Sequence, residues 1–285
     1  MSCITKLEDG YELIEIRSDF VSLTINPSRG NIFSSLLVDG EEWMYIVPEN
    51  YHSKERPRCG CPVLFPFCGV NKDHLLQIQG KKYPTDIHGI VHTNQWTCVE
   101  LIKETNTAVF QTSSNECTKQ QFPFLFTLQA RISVQHDRII YEMTMINDSE
   151  LPMQCDLGFH PFFKISKFAY LSFSTKSETA YDPVQKQLMK DSFLKQETIN
   201  STGCILMDQQ KLQLEDKGKG YRLTFENEIG LRHFMLWSGN PDQFIVIEPL
   251  SGVPDAINDG INCFTIAAKQ QKTCRWSLRF ERLKA

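Results

Sequence analysis

Phe126-Thr127-Leu128-Gln129-Ala130-Arg131-Ile132-Ser133-Val134 alternates apolar and polar side chains without a fault. Successive side chains of an extended chain point to opposite sides, so this period of two predicts a strand with one buried face. Ile139 to Met145 repeats it, with Tyr141 and Met143 on the apolar side. The link His136-Asp137-Arg138 is short enough for a hairpin. Val21-Ser22-Leu23-Thr24-Ile25 and Trp276-Ser277-Leu278-Arg279-Phe280 carry the same pattern, and Leu223 with Phe225 marks a further strand. Turn signals at Asp39-Gly40, Gln79-Gly80-Lys81-Lys82 and Gly218-Lys219-Gly220 separate such runs. Many short strands with frequent turns predict an all-β sandwich or barrel. Helical periodicity is confined to two expected short helices, Gln185 to Lys195 and the stretch around Tyr45 to Tyr51. No repeat or linker-like tract interrupts the chain, so a single domain over residues 1–285 is expected.

The bulk composition narrows the partners. The 285-residue chain is 41% apolar and 22% charged, with a formal net charge of -4. Its basic residues are dispersed, which excludes the concentrated basic surface expected of a nucleic-acid binder. No run reaches the roughly 20 apolar residues that span a bilayer. The start lacks the apolar segment of a signal peptide, so a cytoplasmic location is expected. The ten cysteines are scattered and read as reduced core residues; Cys59-Gly60-Cys61 lacks the spacing and the second pair of a zinc site. No metal is expected.

Four segments break the strand-and-turn pattern. Cys61-Pro62-Val63-Leu64-Phe65-Pro66-Phe67-Cys68-Gly69-Val70-Asn71 places two prolines in an apolar run, which excludes a central ladder strand and predicts a buried, kinked loop. Asp86-Ile87-His88-Gly89-Ile90-Val91-His92 sets a histidine beside a glycine that can turn tightly. Asp156-Leu157-Gly158-Phe159-His160-Pro161-Phe162-Phe163 holds a histidine between aromatic residues and a proline. A stiffly held imidazole suits proton transfer, and aromatic faces suit the C–H face of a sugar ring. Each histidine, taken alone, also reads as a hydrogen-bonded structural residue, His88 more so than His160. Phe244-Ile245-Val246-Ile247-Glu248-Pro249 closes an apolar strand with an acid, which is costly unless the acid is paired or working. Burial would raise its pKa into the range useful to a general base.

In this order the segments resemble the aldose 1-epimerase (galactose mutarotase) family. The matching pieces are Phe65-Pro66-Phe67-Cys68-Gly69, His88-Gly89, Pro123-Phe124-Leu125-Phe126-Thr127-Leu128, Gly158-Phe159-His160-Pro161-Phe162-Phe163 and Phe244-Ile245-Val246-Ile247-Glu248-Pro249. Pro254-Asp255-Ala256-Ile257-Asn258-Asp259-Gly260 is similar to the asparagine-containing loop that follows the family glutamate. The short spacing resembles the bacterial mutarotase-related branch. The resemblance implies a large antiparallel β-sandwich, the galactose mutarotase-like supersandwich, with a sugar on its concave face. It implies an isomerase that interconverts α and β anomers without metal or organic cofactor. His160 would protonate the ring oxygen, Glu248 would take the anomeric proton, and His88 would bond the ring-side oxygens. Asn71, Lys72, His92, Phe162 and Trp237 are the expected substrate contacts. Asp208 is the nearest match to the family's substrate-binding aspartate, although the local alignment also allows Gly203. Val70 stands where many relatives have arginine, and Ile90-Val91-His92 stands where the shorter branch often has Phe-Ala-Arg.

Three functions fit this pattern. The first is a mutarotase on a free aldohexose, working as a monomer or weak homodimer on a small-molecule sugar. The second is a hexose 6-phosphate epimerase, which the missing arginines oppose and for which Arg56, Arg58 and Arg232 are the available substitutes. The third is a non-catalytic carbohydrate-binding or sensing protein on the same scaffold.

Overall fold

The computed structural model describes residues 2–191 and 193–284. The alternating stretch forms the strand Phe126–Gln135 and pairs in antiparallel register with Arg138–Asn147, through the turn His136-Asp137. Alternate residues from Phe126 to Val134, and from Ile139 to Met145, are buried, as a one-faced strand requires. These two strands lie inside an eight-stranded sheet. Its order is Leu171–Ser174, Lys211–Asp216, Tyr221–Ile229, Gln271–Arg282, Arg138–Asn147, Phe126–Gln135, Thr107–Ser113 and Thr97–Ile102.

A second eight-stranded sheet runs Gln187–Met189, Ala180–Asp182, Cys204–Leu206, His233–Trp237, Phe244–Leu250, Gly158–Phe159 and Val63–Leu64, with Phe162–Lys164 also paired to Phe244–Leu250. The strand pairs of both sheets are antiparallel among the described residues. The two sheets meet face to face. Phe159 packs on Tyr141 and Trp276 with ring centroids 4.6 and 5.5 Å apart, and Phe225 packs on Phe163 at 5.5 Å. A five-stranded sheet from Ser2–Glu8 to Glu41–Glu42 adds Ile14, Ile16, Leu23 and Phe33 to the same continuous core, which reaches from Cys3 to Phe280. The fold is a large antiparallel β-sandwich.

Two expectations about local structure come out differently. Pro48–Tyr51 is helical, as expected near Tyr45 to Tyr51. Gln185 to Lys195 is not a helix: Ala180–Asp182 and Gln187–Met189 form a hairpin, and the helix starts later, at Gln196–Asn200. Ser192 lies outside the described residues. Asp182 explains the shift. Its Oδ1 accepts the Val184 and Gln185 amides at 2.8 and 2.9 Å, closing the tight turn that returns Gln187–Met189 against Ala180–Asp182 as a strand. The ten cysteines are free, and seven are buried. No helix among the described residues is long and apolar enough to cross a membrane.

The strand Phe244–Leu250 is buried at all seven positions, which is why its sequence shows no alternation. Its two faces nevertheless differ. Ile245 and Ile247 point into the sandwich core. Phe244, Val246 and Leu250 join smaller apolar clusters on the opposite face, and Glu248 shares that face by the period of two. That second face is the floor of a cleft.

Candidate functional site

Register alone brings the acid and one histidine together. Gly158 pairs with Leu250 and Phe162 with Val246. Continuing the antiparallel register between those pairs places His160 opposite Glu248, with both side chains on the cleft face. His160 Nε2 lies 3.4 Å from Glu248 Oε1. The proline after His160 interrupts the ladder there, and the His160 amide bonds Pro62 O at 3.0 Å instead. Met235, paired with Glu248, and Trp237, paired with Val246, extend the floor from the neighbouring strand. Phe162 packs on His160 at 4.7 Å and on Phe244 at 5.4 Å, and Tyr45 stacks on Phe244 at 4.7 Å. The result is an acid and an imidazole set in an aromatic wall.

His88 arrives from the loop that crosses beneath the Phe65-Pro66 segment. Its ring meets that of His160 edge to face, with centroids 4.9 Å apart. The loop is pinned by backbone bonds from the His88 amide to Gly69 O and from the Ile90 amide to Phe65 O, each 2.8 Å. Gly89 is required at this crossing. Its φ is +80°, and a Cβ would sit 2.1 Å from the Phe65 carbonyl oxygen. His88 itself holds φ +69°, an unusual backbone state for a side-chain-bearing residue. The Gly69 amide donates to His88 Nδ1 at 3.2 Å, so a neutral His88 carries its proton on Nε2 and offers a donor there.

Burial dominates the electrostatics. It pushes the Glu248 carboxyl up to about 8 and the His160 imidazole down to about 3. His88 is held well below its ordinary value by burial, with His160, Arg56 and His92 acting in the same direction, and His92 is lowered to about 4. At neutral pH the three histidines are therefore uncharged, and the proton of the His160–Glu248 pair rests on the carboxyl.

The walls are tied by one carboxylate. Asp255, 2% exposed, accepts the Lys72 amide at 2.9 Å and the Asn258 side-chain amide at 2.7 Å through Oδ1. Its Oδ2 takes Lys186 Nζ at 3.2 Å from the tip of the Ala180–Asp182 and Gln187–Met189 hairpin. Asn71 donates to Thr85 Oγ1 at 3.2 Å, while its own side-chain oxygen has no partner among the described residues.

The cleft has a volume of about 950 Å³, ample for a small ligand. Eight of the nine residues singled out from sequence line it: His160, Glu248, His88, Asn71, Lys72, His92, Phe162 and Trp237. Asp208 does not. It sits in an exposed turn with φ +53°, bonded to Arg232 Nε at 2.8 Å, on the rim of a separate polar depression. The Arg232 guanidinium is likewise committed to Asp208 and does not line the cleft. The sequence reading missed Tyr45, Met235 and Lys186, and counted Arg56 and Arg58 only as phosphate substitutes; all five line the cleft. Met235 was within reach, because it is two residues from Trp237 on one strand and so shares its face. Among the described residues no group of three or more His, Cys, Asp and Glu side chains is arranged to hold a metal ion.

Comparison with known proteins places the fold. A family model described as aldose 1-epimerase matches residues 12–281. The fold is similar to that of a Synechocystis protein at a TM-score of 0.89, with 20% identity over 99% of this chain and 100% of that one. It is also similar to a galactose mutarotase-like protein from Clostridium acetobutylicum (TM-score 0.84, 15% identity, 99% of each chain). A galactose mutarotase related enzyme from Lactobacillus acidophilus gives a TM-score of 0.79 at 17% identity, over 96% of this chain and 100% of that one. No curated protein matches the chain in sequence.

Proposed function

We propose, on the premise that the chain belongs to the aldose 1-epimerase family, that it is an isomerase interconverting the α and β anomers of an aldohexose bound in this cleft. The observation that carries the reading is the His160–Glu248 pair, 3.4 Å apart on the cleft floor. Ring opening needs a base at the anomeric hydroxyl and an acid at the ring oxygen, and a pair sharing one proton supplies both.

At neutral pH that proton rests on Glu248, whose carboxyl burial raises to about 8. Its passage to His160 leaves a carboxylate and an imidazolium with the same total charge. Glu248 then takes the proton of the anomeric hydroxyl as His160 gives its own to the ring oxygen. The bond from the anomeric carbon to the ring oxygen breaks, and the free aldehyde forms. Rotation of the carbonyl presents its other face. The reverse proton transfers close the ring with inverted configuration and restore the pair. Each group contributes about 10²–10⁴-fold. The Nε2–H of His88 is the donor available to the ring-side oxygens of the open form. Phe162, Trp237 and Phe244 give the sugar's C–H face an apolar surface. The chemistry draws on side chains alone, and its setting is proposed to be the cytoplasm, with the chain acting as a monomer or weak homodimer.

Polarimetry of freshly dissolved α-glucose and α-galactose tests the reading. Mutarotation should be faster with enzyme than in buffer for at least one sugar. Rates equal to buffer across a panel of aldohexoses would sink it.

A further inference from the structure

One wall of the cleft is built as a lever. The hairpin of Ala180–Asp182 and Gln187–Met189 lies at the edge of its sheet and joins the rest of that sheet at one residue pair, Tyr181 with Ile205, among the described residues. Its base is anchored, since Ala180 belongs to the core and Met189 packs against it. Its turn is stiff, because Asp182 holds the Val184 and Gln185 amides. Pro183, Val184 and Lys186 of that turn line the cleft. Val184 is 69% exposed, an apolar side chain left in water beside a cavity.

The opposite wall is knitted tightly. Asn258 donates to Leu75 O at 2.8 Å, accepts the Gln77 amide at 2.8 Å and also donates to Asp255. Gly69 lies so close to Pro254 that a Cβ on it would sit 2.6 Å from the proline ring. Asp255 is therefore a fixed carboxylate. Its bond to Lys186 Nζ is the one hydrogen bond between the hairpin turn and this wall among the described residues. Between the hairpin and the strand that leads to Asp255 lie Cys204–Leu206 and His233–Trp237, whose Ile205 and Met235 line the cleft. The contact thus reaches across the floor. Lys186 spends one of its three N–H donors on Asp255, and Asp259 also acts on its charge. It keeps two donors, balanced in charge, at a position that lines the cleft. Such donors suit neutral hydroxyls.

We propose that this hairpin is a clasp that closes over the bound sugar, and that Lys186 both latches it to Asp255 and donates to sugar hydroxyls remote from the anomeric carbon. This rests on the reading of the cleft as a sugar site. The need for a cover is chemical. Ring opening leaves a free aldehyde that must stay in place while its carbonyl rotates, and a cleft of about 950 Å³ stands at the roomy end of small-molecule sites. A turn that brings Val184 down on the ligand buries apolar surface and excludes water. The narrow attachment to the sheet lets the turn move as a unit while Ala180 and Met189 keep their places in the core.

Amide hydrogen exchange and calorimetry on the full chain, with glucose and galactose as probes, test this. Without sugar, the Val184 and Gln185 amides should exchange at least about tenfold faster in Lys186→Met than in wild type, at an unchanged melting temperature. Saturating sugar should slow exchange over residues 184–188 in wild type. Lys186→Met should lose that protection and bind sugar about tenfold more weakly through faster dissociation, KM rising more than kcat falls. Asp255→Asn should match Lys186→Met, and the double variant should add nothing to either, because both break the same bond. Lys186→Arg should restore part of the protection; thermal melting of each variant confirms folding. Amides no faster in Lys186→Met, or left at their free rates by saturating sugar, overturn the proposal. Sugar-dependent protection without accelerated anomer exchange would leave the clasp standing and overturn the catalytic reading. Accelerated anomer exchange with the same KM in wild type and Lys186→Met would do the reverse.

Discussion

His160 and Glu248 face each other across two antiparallel strands, Nε2 to Oε1 3.4 Å, in a setting where burial lifts the carboxyl to about 8 and lowers the imidazole to about 3. Between those limits the pair holds one proton. Above about pH 8 it releases that proton and loses its acid; at low pH it takes a second and loses its base. Anomer exchange should therefore be flat through the neutral range and fall on the alkaline side as pH passes about 8. Glu248→Gln should lower kcat by about 10²–10⁴-fold while sugar binding persists. His160→Asn should do the same, and the double variant should cost little more than either one, because the groups act as a unit. If sugar binds but wild type and Glu248→Gln are equally inactive, the cleft is a binding site and not a catalytic one.

Asp156 lies beneath the site strand, fully buried, with Ser251 Oγ donating to it at 3.3 Å and no ion pair to it among the described residues. Burial raises its pKa from 3.8 to about 8. A carboxyl whose folded pKa is raised contributes most below its unfolded pKa, and that contribution is lost as pH climbs towards the folded value. Glu248 acts in the same direction. The buried histidines, lowered by burial, cost stability only as pH falls below about 6.5. Between pH 6.5 and 8 the carboxyls therefore dominate, each removing about 1.4 kcal/mol per pH unit at most. Asp156→Asn should flatten the decline in denaturant-derived stability over this window. An unchanged slope would rule out the protonated, buried Asp156.

Gly89→Ala should destabilise the fold by roughly 2–4 kcal/mol, because the added methyl meets the Phe65 carbonyl at 2.1 Å in a backbone state that favours glycine. Chemical denaturation measures this directly. The same change should shift the His88 side chain, visible as an altered imidazole proton resonance.

Asp208→Asn should leave sugar affinity and anomer exchange unaltered, since Asp208 lies outside the cleft with Arg232. The exposed pair should contribute under about 1 kcal/mol to stability. A tenfold loss of sugar affinity in this variant would show that the cleft extends to the 207–210 turn.

The alternation from Phe126 to Val134 and from Ile139 to Met145 named the two central strands and their hairpin, because a one-faced strand writes its burial directly into the order of its residues. Phe244–Leu250 was legible as a strand but not as a two-faced one: both faces are buried, so only the acid at Glu248 betrayed the cleft side. The helix expected at Gln185 to Lys195 gave way because Gln187–Met189 pairs with Ala180–Asp182 across a turn closed by Asp182, a tertiary sheet contact that overrides weak helical propensity. Asp208 failed for a different reason. Nearness in a motif says nothing of which sheet edge a turn adorns.

The sequence by itself determined the strand content, the order of the motif segments and the identity of the acid and the histidines, since each is a local property of residue type and spacing. Only the tertiary structure decided that Gly158–Leu250 and Phe162–Val246 pair, and hence that His160 meets Glu248. It alone brought Arg56 to the cleft on a loop built by Arg29, and sent Asp208 elsewhere. The physical reason is that register and loop closure between distant segments are fixed by burial of the whole core, whose contacts no local pattern records.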